Sequence, residues 1–332
     1  MLEWSLKKID LPLKFPWKIA RGTSLSKTNF IVTVECDGSR GQGEVAFNIR
    51  YNESEKLIEE QFQLFLDHGA EDISSLEKLI ALVSELDLAC SLSFGLESAM
   101  AHLNAQMSDR TIHQLLCVPQ VHGIHTSFSL PMMEPSQIEK FISEHKLSRF
   151  AALKIKIGSE GALEVIQEVR KFYKGPLRLD ANEAYDDPSS FLNLTEKLKD
   201  VPIQFIEQPF PAKNFEMYRE IKSKSGFLIF ADESLTSGEV TPEFKDLFDG
   251  VNVKLMKAGG YMRGLKQLRT ARELGLKTML GCMVETSLGI SSAMNIANNV
   301  DFYDLDGCLL ISSDPFNAIQ EDNGTLNYNY VI

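Results

Sequence analysis

After Val121 the chain alternates short apolar segments with amphipathic helical patterns, and this alternation constrains the fold more than any other feature. Near-continuous apolar strands separated by helices indicate a parallel sheet that is covered on both faces. Eight such units in about 190 residues predict a compact α/β fold, a (β/α)8-type (TIM-like) barrel over residues 121–314. A doubly wound open sheet is the alternative, but no GxGxxG follows an early strand and no GxxxxGK[ST] is present. The predicted strands are 124–130, 152–157, 177–181, 203–207, 228–232, 251–255, 278–282 and 302–305.

Residues 1–120 follow a different pattern, in which strands come first and helices follow. Strands are predicted over 2–11 and 30–36, and the turn Asp37-Gly38-Ser39 before a returning strand at 40–45 indicates a hairpin. Helical periodicity then covers 54–68, 73–86 and 90–107. This order predicts a separate α+β module.

Lone carboxylates close the third, fourth and fifth predicted barrel strands, at Asp180, Glu207 and Asp232. The carboxyl ends of barrel strands gather at one face, so the three side chains are expected to converge. Three carboxylates with no His or Cys nearby suit Mg²⁺. The alternative is that each one caps a following helix or pairs with a surface base. The adjacent residues predicted to support the ligands are Asn182, Gln208 and Glu233.

Lysines lie on either side of this predicted metal site. Lys154 and Lys156 are two apart in the second strand and so face one side of it, while Lys254 ends the sixth strand. A lysine acts as a base when desolvation and a nearby cation lower its pKa from about 10.4 towards neutrality. The alternative is a solvated lysine pair on an edge strand.

The eighth and seventh predicted strands end in further acids. Asp304 and Asp306, two residues apart, would repel each other and so favour a cation, for which a substrate ammonium group is suitable. The alternative is a turn that an aspartate caps. Glu285, after the seventh strand, is expected either to support the metal ligands or to contact substrate.

Composition excludes several classes of function. A formal net charge of −12 argues against nucleic acid and anionic membranes as partners, and no apolar run approaches a membrane helix. The first residues lack the layout of a signal peptide, and five scattered cysteines are expected to be reduced and mostly buried, so a cytoplasmic protein is expected. The six histidines form no HxH, HExxH or Ser/His/Asp arrangement. A homo-oligomer is compatible with the sequence.

Three sets of residues together resemble the muconate-lactonizing subgroup of the enolase superfamily. They are KIK at 154–156, the acids in LDAN, IEQP and ADES, and Lys254 in NVKLMKAGG. The resemblance covers essentially the whole chain. It implies that residues 1–120 are a capping domain, which the segment 315–332 completes, and that one Mg²⁺ stabilises an ene-diolate.

Within the subgroup, the DLD at 304–306 resembles the dipeptide epimerases. That resemblance implies a dipeptide substrate whose ammonium binds Asp304 and Asp306, with Lys156 and Lys254 as the two bases and Lys154 beside them. It also places Arg21, in KIARGTS, against the substrate side chain. The loop GEVAFNIRYNES, with Arg50 and Tyr51, is expected to contact substrate but departs from the Ala-Glu pattern.

Other activities stay open at this point. o-Succinylbenzoate synthase and N-succinylamino acid racemase use the same lysines and metal but need no ammonium site, and the same holds for muconate cycloisomerase. Outside the family, the alternatives are a Schiff-base lyase and a metal- or ligand-binding barrel without turnover.

Overall fold

The computed structural model describes residues 1–19 and 22–329, which form an N-terminal α+β module and a barrel. In the N-terminal module, an antiparallel sheet has the order β1-β2-β3 and the helices follow it in sequence. Asp37 and Gly38 both have positive φ, at 50° and 78°, which is the two-residue hairpin turn that the sequence predicts. The elements are β1 (Glu3–Ile19), β2 (Gly22–Cys36), β3 (Ser39–Val45), α1 (Glu55–Asp67), α2 (Leu76–Glu85), α3 (Cys90–Ser108) and α4 (Ile112–Leu116).

The first two strands are longer than the sequence indicates. Prolines at 12 and 16 argue against a continued strand, but the pairing of β1 with β2 tolerates them through a register shift between Pro12 and Trp17. The added part of β1 packs on the barrel, with the Phe15 ring centroid 4.9 Å from that of Phe141. The β1–β2 ribbon therefore extends from the module towards the mouth of the barrel, where Met132 N donates to Lys18 O.

Helix α3 packs directly on β3 because two glycines leave room for its backbone. A Cβ on Gly41 would lie 2.0 Å from Ala99 O, and one on Gly43 would lie 2.1 Å from Gly95 O. Close approach of this kind requires glycine.

The predicted barrel is confirmed. Within the described residues, eight parallel strands follow one another in the order β5 to β12, and the two ends meet where Leu305 N donates to Thr126 Oγ1 at 2.8 Å. The strands are β5 (Ser127–Leu130), β6 (Ala152–Lys156), β7 (Leu177–Asp180), β8 (Ile203–Glu207), β9 (Ile229–Ala231), β10 (Gly250–Val253), β11 (Lys277–Gly281) and β12 (Phe302–Asp304).

Helices connect these strands on the outside of the barrel. They are α5 (Pro135–Glu144), α6 (Ala162–Phe172), α7 (Pro188–Leu198), α8 (Phe215–Ile221), α9 (Phe244–Leu247), α10 (Leu255–Ala258), α11 (Tyr261–Glu273) and α12 (Ser287–Met294). The eighth strand is followed by a 3-10 turn, Gly307–Leu309, in place of a further helix. The barrel thus departs from eight complete βα units at its last connection.

The first predicted barrel strand is in fact two strands in different sheets. β4 (Gly123–His125) pairs with the C-terminal hairpin of β13 (Ile319–Asp322) and β14 (Thr325–Tyr328), while β5 begins the barrel. The Tyr328 ring also lies 6.2 Å from the His113 ring of α4. The C-terminal segment therefore contacts both modules, and the division into 1–120 with 315–332 and 121–314 stays a prediction.

The barrel interior is layered. Phe205, Phe230 and Met279 are fully buried and pack with Phe302 on the amino-terminal side. Each lies two residues before the last inward-facing position of its strand, so the layer above consists of the strand-end residues. The apolar layer closes the barrel beneath the charged face.

The five cysteines are free thiols, as expected, but the prediction that most are buried is wrong. Cys308 is buried, Cys36, Cys90 and Cys282 are half-buried, and Cys117 is exposed. Cys117 caps α4 with φ of 54°, a left-handed position at a helix end that faces solvent. In the part of the chain that the structure describes, no helix is long and apolar enough to cross a membrane.

Candidate active site

Three buried carboxylates meet at the carboxyl ends of neighbouring strands. Asp180 ends β7, Glu207 ends β8 and Asp232 directly follows β9, and all three are at most 2% exposed. One oxygen from each lies within 4.8 Å of the others. A compact set of hard oxygen donors fits Mg²⁺, with substrate and water completing its coordination.

Lys154 lies at the centre of this acid cluster. Its Nζ is 3.0 Å from Asp180 Oδ2, 2.7 Å from Glu207 Oε2 and 2.8 Å from Asp304 Oδ2. Burial alone would lower the pKa of Lys154, but the surrounding carboxylates raise it well above its ordinary value. Lys154 is thus a buried cation held by three anions.

Lys156 and Lys254 approach the acids from different sides of the barrel, on β6 and just after β10. Lys156 Nζ lies 2.5 Å from Asp180 Oδ2, and Lys254 Nζ lies 2.8 Å from Asp232 Oδ2. Burial would lower the pKa of Lys254, but Asp232 raises it well above its ordinary value, the reverse of what a base needs. A divalent cation on the same carboxylates would repel both ammonium groups and lower the pKa of Lys254.

Asn252, beside the acids, was not assigned a role from the sequence, whereas Lys257, three residues after Lys254, is a weaker candidate base there. Asn252 Nδ2 donates to Glu207 Oε1 at 2.7 Å, and its position two residues before Lys254 is the signal that could have found it. Lys257, in α10, is buried and hydrogen-bonds to a carboxylate and the main-chain oxygen of Asp232. No strand period indicates Lys257, because it lies on the helix after the strand.

The three predicted supporting residues lie close to the acids. Gln208 Oε1 accepts from the backbone N of Asp232 at 2.9 Å, and Asn182 N donates to Asp180 Oδ1 at 3.0 Å. Asn182 Nδ2 also donates to Glu233 Oε1 at 3.2 Å. Burial raises the pKa of Glu233 to about 7, and the nearby Asp232 adds to this shift.

Asp304 and Asp306 are both buried, but their contacts differ. Asp304 binds Lys154 through Oδ2 and accepts from Ser127 Oγ at 2.7 Å through Oδ1. Asp306 Oδ2 accepts from the backbone N of Ser129 at 2.6 Å. Burial raises the pKa of Asp306 to about 7, with repulsion from Asp304 as the second cause. The sequence predicts a substrate cation here, and the structure shows that Lys154 also serves as a cation for Asp304.

The predicted specificity residues have separate locations. Arg21 lies outside the described residues. Arg50 forms a bidentate ion pair with Glu183, with Nε 2.9 Å from Oε2 and Nη2 2.7 Å from Oε1. Its guanidinium therefore joins the N-terminal module to the barrel. Tyr51 is half-buried, and burial, followed by the charge of Asp232, raises its pKa.

Two cavities open beside lysines that contact the acids. Arg50, Tyr51, Glu233 and Lys257 are among the residues lining one of about 740 Å³, between the N-terminal module and the strand ends. A second, of about 330 Å³, is lined by Lys156 together with residues that include Lys18, Met132 and Met133. The N-terminal module therefore contributes side chains to both spaces beside the lysines.

Glu285 lies where the two modules meet. Its Oε1 accepts from Met283 N at 2.7 Å, and burial together with Glu44 raises its pKa to about 8. Glu44, from β3, accepts from Thr286 N and Gly289 N at 3.0 and 3.1 Å, and so caps α12 from the other module. These contacts place Glu285 next to an interface between modules.

The structure combines an α+β module with a parallel barrel, and three convergent carboxylates lie between lysines of opposing strands. This is the architecture of the enolase superfamily, whose sites combine a Lys or His base with Mg²⁺. Residues 136–307 match the family described as enolase C-terminal domain-like. The chain belongs to the enolase superfamily.

Named relatives match almost the whole chain. The L-Ala-D/L-amino acid epimerase of Pedosphaera parvula is 31% identical over 96% of this chain and 94% of its own length. The L-Ala-D/L-Glu epimerase of Bacteroides thetaiotaomicron is 30% identical over 96% of this chain and 84% of its own length.

Solved structures share the fold over the same extent. An enolase family member from Agrobacterium tumefaciens, with bound sodium and L-Ala-L-Glu, has a TM-score of 0.91 at 26% identity, covering 99% of this chain and 98% of its own. The dipeptide epimerase of Enterococcus faecalis, with Mg and L-Leu-L-Tyr, has a TM-score of 0.87 at 27% identity, covering 99% and 97%.

Proposed function

We propose that the protein is a Mg²⁺-dependent dipeptide epimerase that inverts the Cα of the C-terminal residue by 1,1-proton transfer. The observation that carries this proposal is the pair Lys156 and Lys254, which reach one buried carboxylate cluster from β6 and from the end of β10. Two bases on opposite faces of one carbon are what inversion of a stereocentre requires. The epimerase names of the relatives support the same activity.

Asp180, Glu207 and Asp232 are the residues that would hold the metal ion. Bound Mg²⁺ would supply positive charge next to the substrate carboxylate and so favour the ene-diolate form of the substrate. This chain's lysines move the proton: one takes it from Cα and the opposite one returns a proton to the other face. Lys154 provides a further positive charge next to these two lysines.

The ammonium end of the dipeptide is assigned to Asp304 and Asp306. Both are buried acids at the end of the eighth strand, across the barrel mouth from the metal carboxylates. A buried carboxylate pair is stabilised by a cation, and a dipeptide supplies one at its N-terminus. This pair disfavours o-succinylbenzoate synthase and N-succinylamino acid racemase, whose substrates have no free ammonium group.

Lysine variants test the two-base scheme. We expect Lys156→Ala and Lys254→Ala each to abolish epimerisation of a dipeptide substrate, measured by chiral chromatography. One of the two variants should still exchange the Cα proton of a single epimer with solvent deuterium, because one base remains. Lys171→Ala, on the surface of α6, is the control and should match the unmodified protein. Normal epimerisation by either site variant would refute the scheme.

We propose a cytoplasmic enzyme that binds neither nucleic acid nor membranes, and a homo-oligomer is compatible with this proposal. The five free thiols and the formal net charge of −12 support the location and the absence of nucleic acid. Light scattering coupled to gel filtration measures the oligomeric state directly.

A further inference from the structure

A buried arginine lies inside the barrel below the acid cluster. Arg178 is in β7, two residues before Asp180, and so faces the barrel interior with it. It is 5% exposed, and its guanidinium carbon lies 5.2 Å from the centroid of Phe302 and 5.6 Å from that of Phe205. Burying a guanidinium among aromatic rings is costly unless its donors are used.

Three hydrogen bonds from Nε and Nη1 of Arg178 compensate part of this cost, and two of them lead towards the site. Nε donates to Gln204 Oε1 at 2.8 Å, while Nη1 donates to Tyr303 O at 2.6 Å and to Ser127 Oγ at 3.2 Å. Two of these contacts lie on the strands that close the barrel, β5 and β12.

The contact with Ser127 determines where the serine proton points. The hydroxyl has two acceptors within reach, Asp304 Oδ1 at 2.7 Å and Tyr303 O at 3.3 Å. Because Arg178 donates both to Tyr303 O and to Ser127 Oγ, the single hydroxyl proton is directed to Asp304. The carboxylate of Asp304 is thereby held in one orientation.

That orientation turns the other oxygen of Asp304 towards Lys154. Asp304 Oδ2 lies 2.8 Å from Lys154 Nζ, which in turn contacts Asp180 and Glu207. Alternating donors and acceptors thus connect the barrel interior to the acid cluster, in the order Arg178, Ser127, Asp304, Lys154.

We propose that Arg178 is a positioning residue that acts through Ser127 to fix Asp304, and through Asp304 holds Lys154 between Asp180 and Glu207. This proposal rests on the proposed epimerase function, because it explains the position of a lysine that acts there. A purely structural Arg178 would instead stabilise the barrel through Tyr303 O and the aromatic rings alone.

A double-mutant cycle separates the two accounts, because residues that act through one contact have non-additive effects. We expect Ser127→Ala to lower kcat about 100-fold and Arg178→Met about tenfold, because Ser127 contacts Asp304 directly, with KM changed less than about threefold. The double variant should match Ser127→Ala within about twofold, because Arg178 has nothing left to act through. Losses that multiply, to about 1,000-fold in the double variant, would overturn the proposal.

Ser291→Ala is the matched control, since it also removes a buried hydroxyl, one that bonds within α12 to Leu288 O at 2.9 Å. It should leave kcat unchanged.

Crystallography of Ser127→Ala keeps the proposal testable if Arg178→Met does not fold. We expect the Asp304 carboxylate to rotate and the contact with Lys154 to break. A retained contact of 2.8 Å would refute the proposal. An inactive unmodified protein would refute the epimerase function, whereas the crystal structure tests the positioning chain by itself.

Discussion

At the scale of single residues, the candidate metal site depends on the side chains that position its carboxylates as much as on the carboxylates themselves. Gln208 follows Glu207 with a positive φ of 41° and is fully buried. Its Oε1 accepts from the backbone N of both Asp232 and Ser234, at 2.9 and 3.0 Å, and its amide donates to Ser234 Oγ at 2.8 Å. One side chain therefore joins two successive strand ends, each with a metal-ligand candidate.

We expect Gln208→Leu to weaken Mg²⁺ binding about 10- to 100-fold, because the backbone that carries Asp232 loses its acceptor. Isothermal titration calorimetry with Mg²⁺ measures this loss. Gln267→Leu is the control, since Gln267 is also buried and its amide bonds to Thr236 O at 2.6 Å, away from the acids. Equal Mg²⁺ affinity in all three proteins would contradict the role of Gln208.

The sequence predicts the site residues that strand geometry determines. Each metal carboxylate ends an apolar strand, and Lys156 and Asp304 follow from the same argument, because the ends of parallel strands share one face. Arg178 and Asn252 obey the two-residue period and could have been found. The contact of Lys257 with Asp232 and the capping role of Glu44 could not, because they depend on packing between distant parts of the chain.

At the scale of elements, α3 shows why a helix can lie between two modules. Nearly all its faces are buried, against β3 on one side and α10 on the other, so most of its polar side chains are buried as well. His102 Nδ1 lies 2.5 Å from Gln42 O, and burial lowers the pKa of His102 to about 4, while the Gln42 carbonyl opposes that shift.

This buried histidine predicts a loss of stability in acid. Between pH 6.5 and about 4 the unfolded chain binds a proton at this position that the folded protein excludes, so stability falls as pH falls through that window. The loss of stability that His102 causes reaches about 3 kcal/mol at the lower end of this pH window. We expect His102→Gln, which can still donate to Gln42 O, to lack it. Urea unfolding at pH 7 and pH 4.5 measures the difference, and equal pH dependence of the two proteins would contradict the prediction.

Element boundaries were predictable where caps and turns determine them. Ser54 and Ser75 accept from the backbone at the starts of α1 and α2, and the Asp-Gly turn ends β2. The carboxyl-terminal end of β1 was not predictable, because tertiary packing on the barrel outweighs its prolines. The same reason explains the division of the first predicted barrel strand, whose partner β14 lies about 200 residues later.

At the scale of the whole molecule, carboxylates of the N-terminal module dock on helix starts of the barrel. Glu44 caps α12, and Glu97 Oε1 accepts from Met262 N at 3.0 Å at the start of α11. Burial raises the pKa of Glu97 to about 7. These caps position Tyr51 and Arg50 over the strand ends, so that side chains of both modules enclose the space where a substrate would bind.

Deuterium exchange into a library of dipeptides tests the central claim most directly. With the unmodified protein in D₂O and Mg²⁺, we expect mass spectrometry to show one deuterium gained at the Cα of the C-terminal residue of at least one dipeptide. EDTA, or the substitution Asp232→Asn, should abolish the gain, because EDTA removes the metal ion and the substitution removes one of its three carboxylates. No exchange into any dipeptide, together with dehydration of the cyclohexadiene substrate of o-succinylbenzoate synthase, would contradict the account.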